Sequence, residues 1–326
     1  MSTKRMFGVA AFGAAAILAL TGCTDSGAPA PAESGDASGE LIPITVGVIP
    51  IADTAPLYLA QSEGFFADAG LDVTIETAAG GAAIVPAVVA GDYQFGFSNT
   101  LSLMVAQSKD IDVKMVSAAV ATTGDTSSDF GAIVVKGDSP IQTAADLSGK
   151  TVSSNTLGNI NDTVTRSVVD AAGGDGASVN IVEVAFPDAV AAVENGQVDA
   201  AFVVEPFVSA ALAAGDRVVS YAYADFDPSL DIAAYFALGS YVSDNPDIVE
   251  KFQTAMSQAL EFAQKNPDAV RDIIGTYTKT DDATRAKIVL PMFPVEINEA
   301  AQKKLAEAAV TYGALSAEPD WDSLLP

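Results

Sequence analysis

The stretch Val46-Gly47-Val48-Ile49-Pro50-Ile51-Ala52-Asp53-Thr54-Ala55-Pro56-Leu57-Tyr58-Leu59-Ala60-Gln61 is an apolar run of strand length that passes directly into a helix signal. Asp53 or Thr54 stands where a side chain caps a helix, and Pro56 falls in the first turn, where a missing amide hydrogen costs nothing. Gly64 and Gly70 bracket a turn, and Leu71-Asp72-Val73-Thr74-Ile75-Glu76 then alternates apolar and polar residues with the period of a half-buried strand. Two strands joined through a helix pair in parallel, because a parallel return needs a crossover of this length. The unit predicts an α/β protein.

The alternation continues downstream. Residues 82–90 predict a helix stopped by Gly91, 93–97 a strand, Ser98-Asn99-Thr100 the cap of a helix reaching Gln107, and 113–117 another strand. A polar loop over 122–129 precedes a short buried strand at 132–135. A second series follows, with strands at 151–154, 179–184 and 198–204, helices at 160–172 and 187–195, and a polar loop at 155–159. Ala90-Gly91-Asp92-Tyr93-Gln94-Phe95-Gly96-Phe97 and Asn195-Gly196-Gln197-Val198-Asp199-Ala200-Ala201-Phe202 share one order of helix stop, polar spacer and buried strand, which predicts two similar lobes. Beyond a strand-like run at 232–241 the chain is helical. Asn245-Pro246 and Asn266-Pro267 each set a capping side chain before a proline, and Val249, Phe252, Met256, Leu260 and Ala263 recur as a core-facing stripe.

Composition narrows the function. With 42 acidic against 16 basic residues the net charge is −26, so a nucleic-acid backbone is repelled. The chain has no histidine, which removes the usual general base, the usual metal ligand and the Ser-His-Asp triad together. No cofactor is expected.

The single cysteine, Cys23, follows Lys4, Arg5 and an apolar run over 9–20, in the order of an export signal; the run is shorter than the about 20 residues that a membrane span needs. Leu20-Thr21-Gly22-Cys23 resembles the bacterial lipobox, which implies lipidation of Cys23 after removal of residues 1–22. Acyl chains contribute about 0.8 kcal/mol per buried CH₂ and anchor a protein to a bilayer. Residues 23–40, small, acidic and rich in Pro, Gly and Ser, read as a flexible tether spanning on the order of 20 Å.

Leu57-Tyr58-Leu59-Ala60 with Gly64-Phe65-Phe66 and Gly70-Leu71-Asp72-Val73, then Asp146-Leu147-Ser148-Gly149-Lys150-Thr151-Val152, then Gly196-Gln197-Val198-Asp199-Ala200 and Glu205-Pro206, resemble the substrate-binding proteins of ABC importers. The similar branch takes nitrate, taurine and aliphatic sulfonates and includes binders of thiamine-type pyrimidine precursors. The resemblance implies a two-lobed periplasmic-binding-protein-like fold of type II, with a first lobe at 41–131 and 236–326, a second at 132–235, and crossings near 132–135 and 232–238. It also implies a monomer on the outer face of the cell membrane that captures a small ligand by closing its cleft and delivers it to a permease, with a nitrate, sulfonate or taurine type of ligand or, alternatively, an aminopyrimidine.

Ligands of open α/β sheets sit beyond the carboxyl ends of the strands, where helix N-termini offer amide hydrogens. The residues so placed are Asp53, Thr54, Ser98, Asn99, Thr100, Asn155, Thr156, Asn159 and Glu205, of which Asp53, Thr54, Ser98, Asn99 and Asn159 are also explained as helix caps and Glu205 as a hinge residue. None of these loops carries Lys or Arg, whereas Asp53, Asp129 and Glu205 suit a ligand with N–H donors, and Tyr58, Phe97, Phe130, Phe207 and Tyr235 are candidates to stack on a ring. Two other classes remain: an enzyme using Asp53 and Glu205 as a carboxylate pair, and a surface interaction lipoprotein. Replacing Cys23 by Ala is expected to move the protein from the membrane pellet to the soluble fraction, as read by fractionation and immunoblotting.

Overall fold

The computed structural model describes residues 40–325; Cys23, the signal segment and the tether up to residue 39 lie outside the described residues. The chain opens with β1 (Ile42–Val48), α1 (Ala55–Ser62), α2 (Phe65–Asp68), β2 (Leu71–Thr77), α3 (Gly81–Ala90), β3 (Phe95–Asn99), α4 (Thr100–Gln107) and β4 (Val113–Ala121). Next come β5 (Gly131–Val135), β6 (Thr151–Ser154), α5 (Ile160–Ala171), β7 (Asn180–Glu183), α6 (Phe186–Glu194), β8 (Ala200–Val204), α7 (Phe207–Ala214), β9 (Arg217–Ser220) and α8 (Ala222–Phe226). β10 (Asp231–Leu238) leads into α9 (Gly239–Asp244), α10 (Pro246–Lys265), α11 (Pro267–Tyr277), α12 (Asp282–Arg285), α13 (Glu299–Thr311) and α14 (Trp321–Leu324).

Two five-stranded sheets result, ordered β2-β1-β3-β10-β4 and β7-β6-β8-β5-β9. In the first, β2 and β3 flank β1 in parallel, and β10 runs antiparallel between β3 and β4. The second repeats this pattern, with β6 at the parallel centre and β5 antiparallel between β8 and β9. The two segments that echo one another in sequence therefore lead into β3 and β8, which hold the same place in their sheets.

The crossings differ from the sequence reading. Residues 132–135 and 232–238 lie in sheet strands with a partner on each side, and the chain passes between sheets at 122–130 and 227–230. Apolar runs belong to the buried interior of a sheet, and polar stretches bridge two of them. β10 lies wholly in the first sheet, so residues 232–235 fall in the first lobe and not the second.

Capping also departs in part from expectation. Asn99 accepts a bond from Ser102 N at 2.9 Å and Asn159 from Asn161 N at 3.1 Å, as caps do. Thr54 Oγ1 instead donates to the carbonyls of Ile49 and Ile51, both at 3.0 Å, and no side chain caps α1. Asn245 and Asn266 turn their amides back onto the carbonyls of Tyr241 and Phe262, closing the preceding helices and not capping the following ones.

The stripe on α10 is buried as its spacing demands. Phe252 stacks on Phe95 with centroids 4.0 Å apart and meets Phe66 and Tyr235 within 6 Å, joining α10 to α2, β3 and β10. Gly47 and Gly96 are paired across β1 and β3. A Cβ on Gly96 would lie 2.6 Å from Phe236 and 2.7 Å from Ile84, so a bare backbone there lets α3 and the Phe236 ring approach the sheet. Phe252→Ala is expected to cost about 3–5 kcal/mol, read as a lowered urea midpoint.

Candidate functional site

A cavity of about 30 Å³ lies between the lobes, enclosed by Ile49, Ile51, Asp53, Phe97 and Asn99 from the first and Asn155, Asn161, Phe186, Val204 and Tyr223 from the second, with Ile232 and Ala233 of β10. Its wall is built from residues at or just beyond the ends of β1, β3, β6 and β8, the positions where ligands of such sheets collect. The lobes also touch at the rim, where a side chain on Gly80 would meet Thr156 Oγ1 at 3.3 Å.

Asp53 is the charged group of this wall. It is 3% exposed, Oδ1 has no partner among the described residues, and because α1 is not capped by a side chain the carboxyl is free of that duty. Burial pushes its pKa from the ordinary 3.8 up to about 7, its own backbone N–H partly opposing, with the nearby Asp129 charge adding to the rise. Asp129 is itself fully buried on the first crossing, where Thr122 Oγ1, Thr123 N and Phe130 N donate to its carboxylate. The hydroxyls of Ser98, Thr100 and Tyr235 are likewise buried without partners in the first lobe. Burial raises the Tyr235 phenol, with Tyr58 and Asp53 adding to it.

The facing wall is a chain of amides. Tyr223 OH donates to Asn161 Oδ1 at 2.6 Å, and Asn161 Nδ2 and Asn159 Nδ2 both donate to Asn155 Oδ1 at 3.0 Å. Donors and acceptors are thereby oriented before any ligand arrives. Neither Lys nor Arg lines the cavity.

Of the residues expected from sequence, Asp53, Asn99 and Asn155 line the cavity. Thr54, Ser98, Thr100 and Asn159 are buried beside it, Asn159 as the cap of α5, and Thr156 stands at the rim. Glu205 is placed elsewhere. It lines a separate space of about 140 Å³ between α7 and residues 284–289, and accepts bonds from Ser209 and Val289. Asp53 and Glu205 thus do not face one cavity as a catalytic pair. Among the aromatic candidates Phe97 lines the cavity; Tyr58 stacks on Tyr277 at 3.9 Å, Phe130 packs on Tyr223, Phe207 on Phe186, and Tyr235 against Phe97. Asn161, Phe186 and Tyr223 escaped the sequence reading. Asn161 carried one available signal, its position two residues after a capping Asn. Among the described residues no group of three or more His, Cys, Asp or Glu side chains is placed to hold a metal ion, and no helix is long and apolar enough to cross a membrane.

Two α/β lobes with repeated sheet order, two crossings and an interlobe site define the fold of the periplasmic binding proteins. The chain belongs to the NMT1/THI5-like family, whose model matches residues 51–270. It is 25% identical over 273 residues to a formylaminopyrimidine-binding protein of Halalkalibacterium halodurans, an alignment covering 82% of this chain and 78% of that one. In structure it is similar to the periplasmic aliphatic sulphonate binding protein SsuA from Escherichia coli, with a TM-score of 0.69 at 19% identity over 86% of this chain and 95% of that one. The periplasmic nitrate-binding protein NrtA from Synechocystis PCC 6803 gives 0.74 at 16% identity, over 88% and 86%.

A carboxyl whose pKa is raised on folding stabilises the fold below its unfolded pKa, and that contribution is lost as pH rises through the folded value. Stability is therefore expected to fall between about pH 4 and pH 7 on account of Asp53. Glu205, Asp216 and Asp231, all raised by burial, slope the same way, so the readout is a difference: in urea titrations Asp53→Asn should show a shallower decline than the wild type.

Proposed function

We propose that this chain is the solute-binding component of an ABC importer, lipid-anchored through Cys23 outside the cell membrane. It captures a small solute by closing its lobes and passes it to a permease, without chemical turnover. The ligand is a flat heterocycle bearing N–H donors, of the aminopyrimidine type, held by Asp53, Asn99, Asn155 and Asn161, with Phe97, Phe186 and Tyr223 against its faces.

The observation that carries this reading is the buried Asp53 carboxyl, its Oδ1 without a partner among the described residues, in an aromatic-walled interlobe cavity without a lining Lys or Arg. A carboxyl near neutrality can accept from an amino group and share a proton with a ring nitrogen. The nitrate, sulfonate or taurine ligand implied by the resemblance would bring its anion against Asp53 within a strongly negative protein. The relative from Halalkalibacterium, named for a formylaminopyrimidine, supports the same side. Because about 30 Å³ admits little more than a water, a bound ring turns the Phe186 and Tyr223 side chains aside from where they stand here, with the lobes still together.

Thermal-shift and calorimetric titration of 4-aminopyrimidine, taurine, nitrate and an alkanesulfonate tests the reading. At a concentration 100 times Kd the aminopyrimidine should add about 2.7 kcal/mol of stability. Asp53→Ala should abolish its binding. A variant that instead gains affinity for sulfonate or nitrate would assign the site to an anion.

A further inference from the structure

We propose that Glu205 is the latch of the closed protein, a positioning residue that ties the second lobe to the C-terminal segment of the first without touching the solute. The inference rests on the solute-capture reading and adds to it the means by which closure is held.

Glu205 follows β8 at the edge of the second lobe and is 1% exposed. Within its own lobe it accepts from Ser209 N at 3.0 Å and Ser209 Oγ at 2.8 Å, which fix the carboxylate over the first turn of α7. Two further bonds leave the lobe. Oε1 accepts from Val289 N at 3.1 Å, and the Glu205 carbonyl accepts from Ala52 N, the residue before Asp53, at 3.0 Å.

The partner at Val289 moves with the first lobe. Arg271 Nη2, on α11, donates to Ile288 O at 3.4 Å; Ala121 at the end of β4 and Met292 exchange both backbone bonds at 2.9 and 3.0 Å; and Phe293 N donates to Gln264 Oε1 on α10 at 2.8 Å. Separation of the lobes must therefore break the carboxylate–amide bond. The latch space, bordered by Leu212, Tyr221 and Lys287, is distinct from the solute cavity, and no residue lines both. Bonds made only in the closed state lengthen its lifetime and leave encounter with the solute unchanged.

Stopped-flow kinetics with 4-aminopyrimidine, together with X-ray scattering without added solute, test the latch in Glu205→Ala, Glu205→Gln and Ser209→Ala. Loss of a buried bond to a charged acceptor should raise the dissociation rate of Glu205→Ala roughly tenfold to a hundredfold with the association rate retained, and enlarge its radius of gyration. Ser209→Ala, which keeps the interlobe bond, should stay near the wild type in both. Glu205→Gln keeps one carbonyl oxygen that can still accept from Val289 N but loses the charge, so its dissociation rate should fall between those of the wild type and Glu205→Ala, while Val289→Pro, which removes the donated N–H, carries the same test if the alanine variant fails to fold. A folded Glu205→Ala with wild-type dissociation and scattering would overturn the latch, as would a selective loss of association. If the wild type does not bind 4-aminopyrimidine, the ligand assignment fails, and the scattering comparison alone decides the latch.

Discussion

The whole architecture depends on one pairing constraint: each sheet is completed by an antiparallel strand that adjoins a crossing between lobes. β5 follows the first crossing and β10 the second, and each inserts between two strands of its sheet. The crossings are thus anchored at one end in the interior of a sheet. The short polar segments 122–130 and 227–230 are the links between the two sheets, and the start of β10, at Ile232 and Ala233, borders the interlobe cavity. Across that cavity Asp53 faces the amide wall of Asn155 and Asn161.

Within that frame the site is governed by desolvation. Asp53 has surrendered its water without receiving a partner at Oδ1, and the cost appears as a carboxyl titrating about 7. The opposite wall has its amide orientations set by the chain from Tyr223 through Asn161 to Asn155. One wall is therefore short of a donor and the other is preorganised. In a chain without histidine, titration near neutrality falls to buried carboxyls such as Asp53.

Much of the fold was legible because period-two and period-3.6 patterns survive in single elements: the strand at 71–76, the α10 stripe and the echoed run before β3 and β8 all follow from local spacing. Asn99 and Asn159 were legible as caps for the same reason. Asn245 and Asn266 were not, since an Asn before Pro can equally donate backwards to the helix it ends. The boundary at 235 slipped because an apolar run does not say which sheet receives it. At the site, Asp53, Asn99 and Asn155 were found as polar residues just beyond strands. Tyr223 and Phe186 enter through packing between distant elements, and Glu205 lines a separate space beside Val289, 84 residues away in the chain.

The insertion of β10 between β3 and β4 also fixes an order of assembly. Among the described residues β10 is the one strand that adjoins β4 in its sheet, and β10 is synthesised after the entire second lobe. A chain emerging from its N-terminus therefore holds β4, a largely buried strand in the finished protein, without a sheet neighbour until β10, at Asp231–Leu238 of 326 residues, is available. The second lobe, contiguous from β5 to α8, has all its strands in hand by then. The lobe that begins first is completed last, and its unpaired sheet edge is an aggregation hazard until then.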